Sequence, residues 1–145
     1  MTEDKAINYN RRLIDFTCKL FAVYRMENGR ELVFNSRNLH LALKKGLEDT
    51  LSEYEERDVP RTIQEVESTL SFVDGSYGLI CRELGDILAY SHMIGILHPQ
   101  PPTFNDERIF LGKRWAKETL KKLDADVAFL KFSKKVWEYV EKGYY

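Results

Sequence analysis

Residues 105–145 read NDERIFLGKRWAKETLKKLDADVAFLKFSKKVWEYVEKGYY, and this stretch decides the predicted fold. Apolar residues recur in it at the three- and four-residue spacing that places side chains along one side of an α-helix. The repeat falls at seven-residue intervals with two intermediate positions: Ala116, Leu123, Leu130, Trp137 and Tyr144, with Leu120 and Val127 between them. The pattern predicts a long C-terminal helical element, residues 105–143, against which the rest of the chain packs.

The ends of this element carry helix-boundary signals. Asn105-Asp-Glu107 is typical of a helix start, because a capping side chain precedes acids that face the positive end of the helix dipole. Gly143 is a suitable stop. Asp124-Ala-Asp126 offers a second capping site inside the stretch. In an alternative interpretation this second cap divides the element into two helices.

The upstream sequence predicts four shorter helices. The expected helices cover residues 5–26, residues 37–57 after an Asn35-Ser36 cap, residues 63–73, and a segment that ends near Leu97. Three prolines within residues 98–104 predict an extended connector to the C-terminal element. We therefore expect a single all-α domain over residues 1–145, built as a compact bundle of five helices, or six if Asp124 divides the last.

The dipeptide Asn28-Gly29 permits two interpretations. Asn-Gly is a strong hairpin signal, and the segments 21–24 and 30–34 on either side of it are able to form two strands. Alternatively, the first helix continues to Gly29 as its C-cap, and a short extended segment follows over residues 31–34. The second interpretation is favoured, and the first adds a small β-hairpin to the bundle.

Small residues in the expected fourth helix suggest a close contact. Gly78, Cys81, Gly85 and Ala89 are spaced so that they share one side of that helix. Since glycine lowers helix propensity by roughly 1 kcal/mol relative to alanine, some packing gain must offset it. An internal helix crossing is the simpler interpretation, and a docking groove for a partner helix is the alternative.

Composition points to a globular cytoplasmic protein. A chain of 145 residues with 43% hydrophobic residues is long enough for one domain with a substantial core. No apolar run reaches the roughly 18 residues that a membrane span needs, and no signal-peptide pattern follows Met1. Cys18 and Cys81 are expected to be buried free thiols.

Charge is unevenly distributed, although the formal net charge is only −1. Residues 1–104 carry 12 basic and 16 acidic side chains, whereas residues 105–145 carry 10 basic and 7 acidic ones. Dedicated nucleic-acid-binding proteins usually have a stronger basic excess. The distribution separates an acidic middle from a basic C-terminal part.

Common catalytic signatures are missing from the sequence. There is no glycine-rich phosphate loop, no Gly-x-Ser-x-Gly, no His-Glu-x-x-His and no Cys-x-x-Cys. We therefore expect no cofactor and no bound metal. The histidines leave one enzymatic alternative, a small helical hydrolase or nuclease in which His92 or His40 acts with an acid or arginine that folding brings close.

Basic and aromatic residues are interleaved in the C-terminal stretch. Lysines beside phosphates, with aromatic side chains as stacking platforms, are features of single-stranded nucleic-acid grooves. In the other interpretation the aromatic side chains face the core and the lysines only solvate the outer side. The aromatic residues are Trp115, Phe129, Phe132, Trp137 and Tyr139. The candidate residues for binding nucleic acid or a partner are Lys113, Arg114, Lys117, Lys121, Lys122, Lys131, Lys134, Lys135, Tyr144 and Tyr145.

Together these features predict a non-enzymatic helical interaction protein, a small subunit, adaptor or inhibitor within a larger assembly that includes a protein partner. Its size and helical content resemble those of the small helical subunits of CRISPR effector complexes and of phage-encoded inhibitors, a likeness of fold that rests on no shared motif. Single-stranded nucleic-acid binding through the basic C-terminal face is the alternative, and a homo-oligomer is also compatible with the sequence.

Overall fold

The computed structural model describes residues 3–28, 33–35, 37–75, 78–100, 106–109 and 113–142. Within these ranges the chain is mostly helical, and the predicted helical bundle with a small β-hairpin is confirmed. The helices are α1 (Glu3–Asn28), α2 (Arg37–Leu51), α3 (Arg61–Thr69), α4 (Leu84–Met93), α5 (Lys113–Lys122) and α6 (Val127–Lys142). The strands are β1 (Val33–Asn35), β2 (Phe72–Gly75), β3 (Gly78–Cys81), β4 (Leu97–Gln100) and β5 (Asp106–Ile109).

The core forms where α2 packs along α6 and α1 packs against α4, α5 and α6. Trp137 joins α6 to α1, because its ring centroid lies 5.3 Å from that of Phe21 and 4.8 Å from that of Tyr24. The indole Nε1 donates a hydrogen bond to the backbone carbonyl of Leu20 at 2.9 Å. The C-terminal helices therefore pack on the N-terminal helix through buried aromatic side chains, as the apolar repeat predicts.

The C-terminal stretch is divided at Asp124, in agreement with the two-helix interpretation. Asp124 has a positive φ of 54°, a left-handed conformation that Asp and Asn adopt more readily than most residues. Asp126 then caps α6, because its Oδ1 accepts a hydrogen bond from the Phe129 N–H at 2.8 Å. Thr62 of α3 donates a further hydrogen bond to the Asp126 carboxylate and so ties the start of α6 to α3.

The predicted helix start at residues 105–107 is wrong, because residues 106–109 form strand β5. This strand is the middle one of a three-stranded antiparallel sheet of order β1-β5-β4. Val33 pairs with Arg108 on one side, and Leu97 pairs with Ile109 on the other. Neighbouring strands on both sides stabilise an extended backbone at residues whose local pattern favours a helix.

The predicted proline-rich connector, residues 98–104, is partly strand. Residues 98–100 belong to β4, an edge strand of the three-stranded sheet. Proline has no N–H to donate to a neighbouring strand, so a residue such as Pro99 is tolerated at an edge and not in a central strand. The predicted connector residues 101–104, Asn105 and the predicted stop and anchors Gly143, Tyr144 and Tyr145 lie outside the described residues.

The segment from residue 70 to residue 97 differs most from the prediction. Helix α3 ends at Thr69, and β2 and β3 form an antiparallel hairpin with Gly75 paired to Gly78. The expected fourth helix is confined to α4, so the predicted stripe of small residues does not share one helix. Gly78 and Cys81 lie in β3, whereas Gly85 and Ala89 lie in α4.

The N-terminal half follows the prediction more closely. Helix α1 continues to Asn28, so residues 21–24 are helical and the hairpin of this fold lies elsewhere. Strand β1 overlaps the expected extended segment 31–34. Asn35 begins α2 as predicted, because its Oδ1 accepts a hydrogen bond from the Arg37 N–H at 2.9 Å. Helix α2 ends at Leu51, earlier than expected, and a 3₁₀ turn follows at residues 56–58.

Candidate partner-binding surfaces

Five of the predicted binding residues form one exposed face of α5, which we call the basic surface. Arg114 pairs with Glu118 one turn further along the helix, at 3.2 Å. The four lysines have no carboxylate partner among the residues that the structure describes. The basic surface consists of Lys113, Arg114, Lys117, Lys121 and Lys122.

The α6 lysines from the same prediction are distributed differently. Lys131 and Lys134 are exposed, and Lys134 has an interaction partner. Lys135 is half-buried and donates a hydrogen bond to Glu53 at 2.5 Å, linking α6 to the turn after α2. This hydrogen bond and the positive charge of Lys135 lower the pKa of the Glu53 carboxyl. Lys135 therefore serves as an interhelical contact, whereas Lys131 is available to a partner.

The aromatic side chains proposed as stacking platforms face the core. Phe129, Phe132 and Trp137 are 1%, 0% and 3% exposed, so no base is able to stack on their rings. Trp115 and Tyr139 are half-buried and pack against the same core. The C-terminal helices thus present lysines to solvent and aromatic rings to the interior.

A second surface feature lies where the start of α2 meets β3. A groove of about 510 Å³ opens there, and we call it the hairpin groove. Its polar side chains come from α2, and an exposed apolar side chain, Ile80, comes from β3. The groove is lined by Arg37, His40, Gly78, Leu79 and Ile80.

His40 is oriented by the backbone of β3. Its Nδ1 accepts a hydrogen bond from the Cys81 N–H at 2.9 Å. The neutral ring must therefore carry its proton on Nε2. Partial burial lowers the pKa of His40 below its ordinary value of 6.5. At neutral pH the groove thus contains an uncharged imidazole with one N–H donor and the permanently charged guanidinium of Arg37.

The pairing pattern of the hairpin fixes which backbone groups face the groove. Arg82 N–H donates to the carbonyl of Ser71 at 2.9 Å, so these two residues form a hydrogen-bonded pair. Hydrogen-bonded and non-hydrogen-bonded pairs alternate along an antiparallel ladder. The pairs that contain Cys81 and Leu79 lie one and three steps from this pair, so both are non-hydrogen-bonded pairs. Their N–H and C=O groups consequently point away from β2. The bond from Cys81 to His40 confirms this direction.

The outer face of the hairpin carries two exposed apolar side chains. Val73 of β2 and Ile80 of β3 are cross-strand partners, and they are 38% and 41% exposed. They form a small apolar patch beside the groove.

Cys81 lies next to His40, but its geometry is not that of a nucleophile. The side chain is 1% exposed, and burial raises the pKa of its thiol to about 11. Its Sγ lies 3.9 Å from a carboxylate oxygen of Glu83, while the Nδ1 of His40 is already bonded to the backbone. The thiol therefore stays protonated at neutral pH. Cys18, the other free cysteine, is half-buried. Burial and, to a smaller extent, the negative charge of Asp15 raise the pKa of its thiol.

Acidification provides a test of the His40 geometry. Because the folded-state pKa of His40 is lowered, its contribution to stability is fully present above pH 6.5 and is lost as the pH falls from 6.5 through the folded pKa. We expect His40→Gln to remove this part of the pH dependence. Urea unfolding of both proteins between pH 7.5 and 5 measures it, and an identical dependence of the free energy of unfolding on pH for the two proteins would contradict the lowered pKa that burial gives His40.

Sequence patterns do not predict the hairpin groove, because residues 78–81 are expected to be helical. Arg37 and His40 are recognisable as a pair three residues apart, but their meeting with β3 depends on long-range packing. One local signal exists in Gly75-Ser-Tyr-Gly78. With Asp74 they make a five-residue segment with two glycines between apolar residues, which is the sequence pattern of a hairpin with a longer loop.

Metal centres and membrane spans are two other classes of feature. No group of three or more His, Cys, Asp or Glu side chains in the described ranges is arranged to hold a metal ion. Among the helices that the structure describes, none combines the length and apolar character of a membrane span. Comparison with protein-family models, curated protein sequences and solved structures finds no match.

Proposed function

We propose that the protein is a non-enzymatic interaction module, a small subunit, adaptor or inhibitor, that binds an acidic surface of a protein partner through the basic surface of α5. The observation that carries this proposal is the set of four exposed lysines without carboxylate partners among the described residues. Like charges one turn apart on a helix repel each other and lower its stability by a few tenths of a kcal/mol. A partner of opposite charge removes that repulsion.

The position of α5 supports its availability. Its apolar side packs against α1, with Ala116 fully buried, so the helix is held while its charged side faces solvent. Rigid presentation of charge favours fast, selective encounter with a complementary surface. An acidic protein surface fits better than single-stranded nucleic acid, because the aromatic rings of α6 are buried.

Charge reversal on α5 tests the proposal. We expect Lys117→Glu combined with Lys121→Glu to reduce capture of the protein partner from the native host by about ten- to a hundredfold. The measurement is affinity capture with and without nuclease, followed by identification of the eluted proteins. Arg57→Glu combined with Arg61→Glu changes the net charge equally on another exposed part of the chain and serves as the control.

The results separate the alternatives. Protein partners that survive nuclease and are lost only with the α5 variant support the proposal. Equal capture by the α5 variant and the control variant would refute a specific role for the basic surface.

Single-stranded nucleic acid is the second candidate, because the four lysines of the basic surface are suited to phosphates. If four lysines neutralise four phosphates, log Kobs falls with log salt with a slope of about −3. Recovery of nucleic acid with proteins lost on digestion, together with that slope, would favour this candidate.

A further inference from the structure

The edge of β3 that faces the hairpin groove is open at Leu79. Its N–H and C=O point away from β2, and neither has a hydrogen-bond partner among the described residues. Two residues further along the same edge, the Cys81 N–H is occupied by His40. An open strand edge offers a donor and an acceptor side by side, the pattern that an extended peptide backbone matches.

Hydrogen-bond donors surround this open position. Arg37 contributes a guanidinium and His40 an Nε2–H, and both residues line the groove. None of the described residues that line the groove is acidic, and Arg37 has no carboxylate partner within the described ranges. The charge of the groove therefore complements a carboxylate.

We propose that the hairpin groove binds an extended segment of a partner protein, which pairs with the backbone of Leu79 and places a carboxylate against Arg37. The carboxylate belongs to an acidic side chain of the segment. The inference rests on the proposed interaction function but uses a different surface from α5.

The groove favours a peptide over an inorganic anion for two reasons. The Leu79 C=O requires a donor from the ligand, which a peptide N–H supplies and an anion without a proton, such as sulfate, does not. The exposed side chain of Ile80, which lines the groove, offers apolar contact to side chains on the same face of an extended segment.

A displayed library of random heptapeptides is the probe for this test, selected on the full chain. We expect enriched peptides to share an acidic residue and alternating apolar residues. Arg37→Gln should weaken binding of the enriched synthetic peptides by about 10- to 100-fold, as expected for loss of a charge-assisted hydrogen bond. Arg82→Gln, an exposed arginine just beyond β3 that does not line the groove, should leave affinity unchanged.

Strand pairing has its own measurement. Amide hydrogen exchange, followed by NMR with and without the enriched peptide, should slow at Leu79. Asp74 provides the matched amide, because it lies opposite Leu79 and its N–H points to the other edge of the hairpin. Methylating the peptide nitrogen that faces Leu79 should abolish binding, whereas methylating its neighbour should not.

Several results would overturn the inference. They are a selection that enriches no peptide, equal affinity for Arg37→Gln and the unaltered chain, or exchange that slows equally at Leu79 and Asp74. If millimolar inorganic phosphate displaced the peptide and the peptide did not slow amide exchange at Leu79, the groove would be a simple anion site instead. Lys117→Glu with Lys121→Glu should leave peptide affinity unchanged, so this inference and the proposed role of α5 are able to fail separately.

Discussion

Replacing Trp137 with alanine is expected to lower the free energy of unfolding by about 3–5 kcal/mol, the range typical of large aromatic residues removed from a core. Trp137 is 3% exposed and contacts the rings of Phe21 and Tyr24. Its removal leaves a cavity between α6 and α1. For a chain of this length the expected fall in Tm is roughly 10–20 °C. Thermal and urea unfolding followed by circular dichroism measure both quantities.

Two further variants separate the contributions to this effect. Trp137→Phe keeps an aromatic ring but loses the Nε1 hydrogen bond to Leu20, so a loss of about 1–2 kcal/mol is expected. Trp115→Ala removes the other tryptophan, which is half-buried at the edge of the core, and should cost about half as much as Trp137→Ala. If the two alanine variants were equally unstable, Trp137 would not have the central packing role described above.

The success of the helical prediction has a local cause. The apolar repeat of residues 116–137 predicts helices from the period of an α-helix alone. Ala116 and Trp137 are buried as the pattern requires, whereas Leu120, Leu123 and Leu130 are half-buried. Val127 departs from it at 66% exposure, because it is the first residue of α6 after the break at Asp124.

The strands are harder to predict because their stability comes from distant partners. Residues 106–109 carry two acids and an arginine, a composition without a marked strand preference, yet they pair with β1 and β4 on both sides. Similarly, residues 72–75 and 78–81 continue the apolar spacing of a helix but form two paired strands. The spacing of apolar residues along the sequence does not show which strands pair, and strand pairing decides between helix and strand here.

The two candidate surfaces differ in the same way, since one depends on local sequence and the other on long-range packing. The basic surface of α5 depends on residues close together in one helix, so its exposure follows from the period alone. The hairpin groove joins α2 to a strand about forty residues later, since His40 bonds the backbone of Cys81. Only the folded arrangement shows that Arg37, His40 and the open edge at Leu79 face one another.

Replacing Gly46 with leucine is expected to destabilise the protein by about 3 kcal/mol, because α2 and α6 approach each other at this position. An added Cβ at Gly46 would lie 2.7 Å from Val136 Cγ2 and 3.3 Å from the Val136 backbone nitrogen. Gly46→Ala gains helix propensity of about 1 kcal/mol but meets the same contact, so a smaller net loss is expected.

A double-mutant cycle with Val136→Ala provides the decisive measurement of this contact. Val136→Ala makes room for the new side chain, so its coupling energy with Gly46→Ala should be favourable by at least about 0.5 kcal/mol. Gly85 is the matched glycine, since nothing lies within 4 Å of a Cβ added there in α4. Gly85→Ala should therefore stabilise the protein by about 0.5–1 kcal/mol. Additive effects at positions 46 and 136, or equal effects of alanine at positions 46 and 85, would show that α2 and α6 do not meet at Gly46. Favourable coupling, together with a stabilising Gly85→Ala, would place the close approach of these helices at Gly46 and Val136.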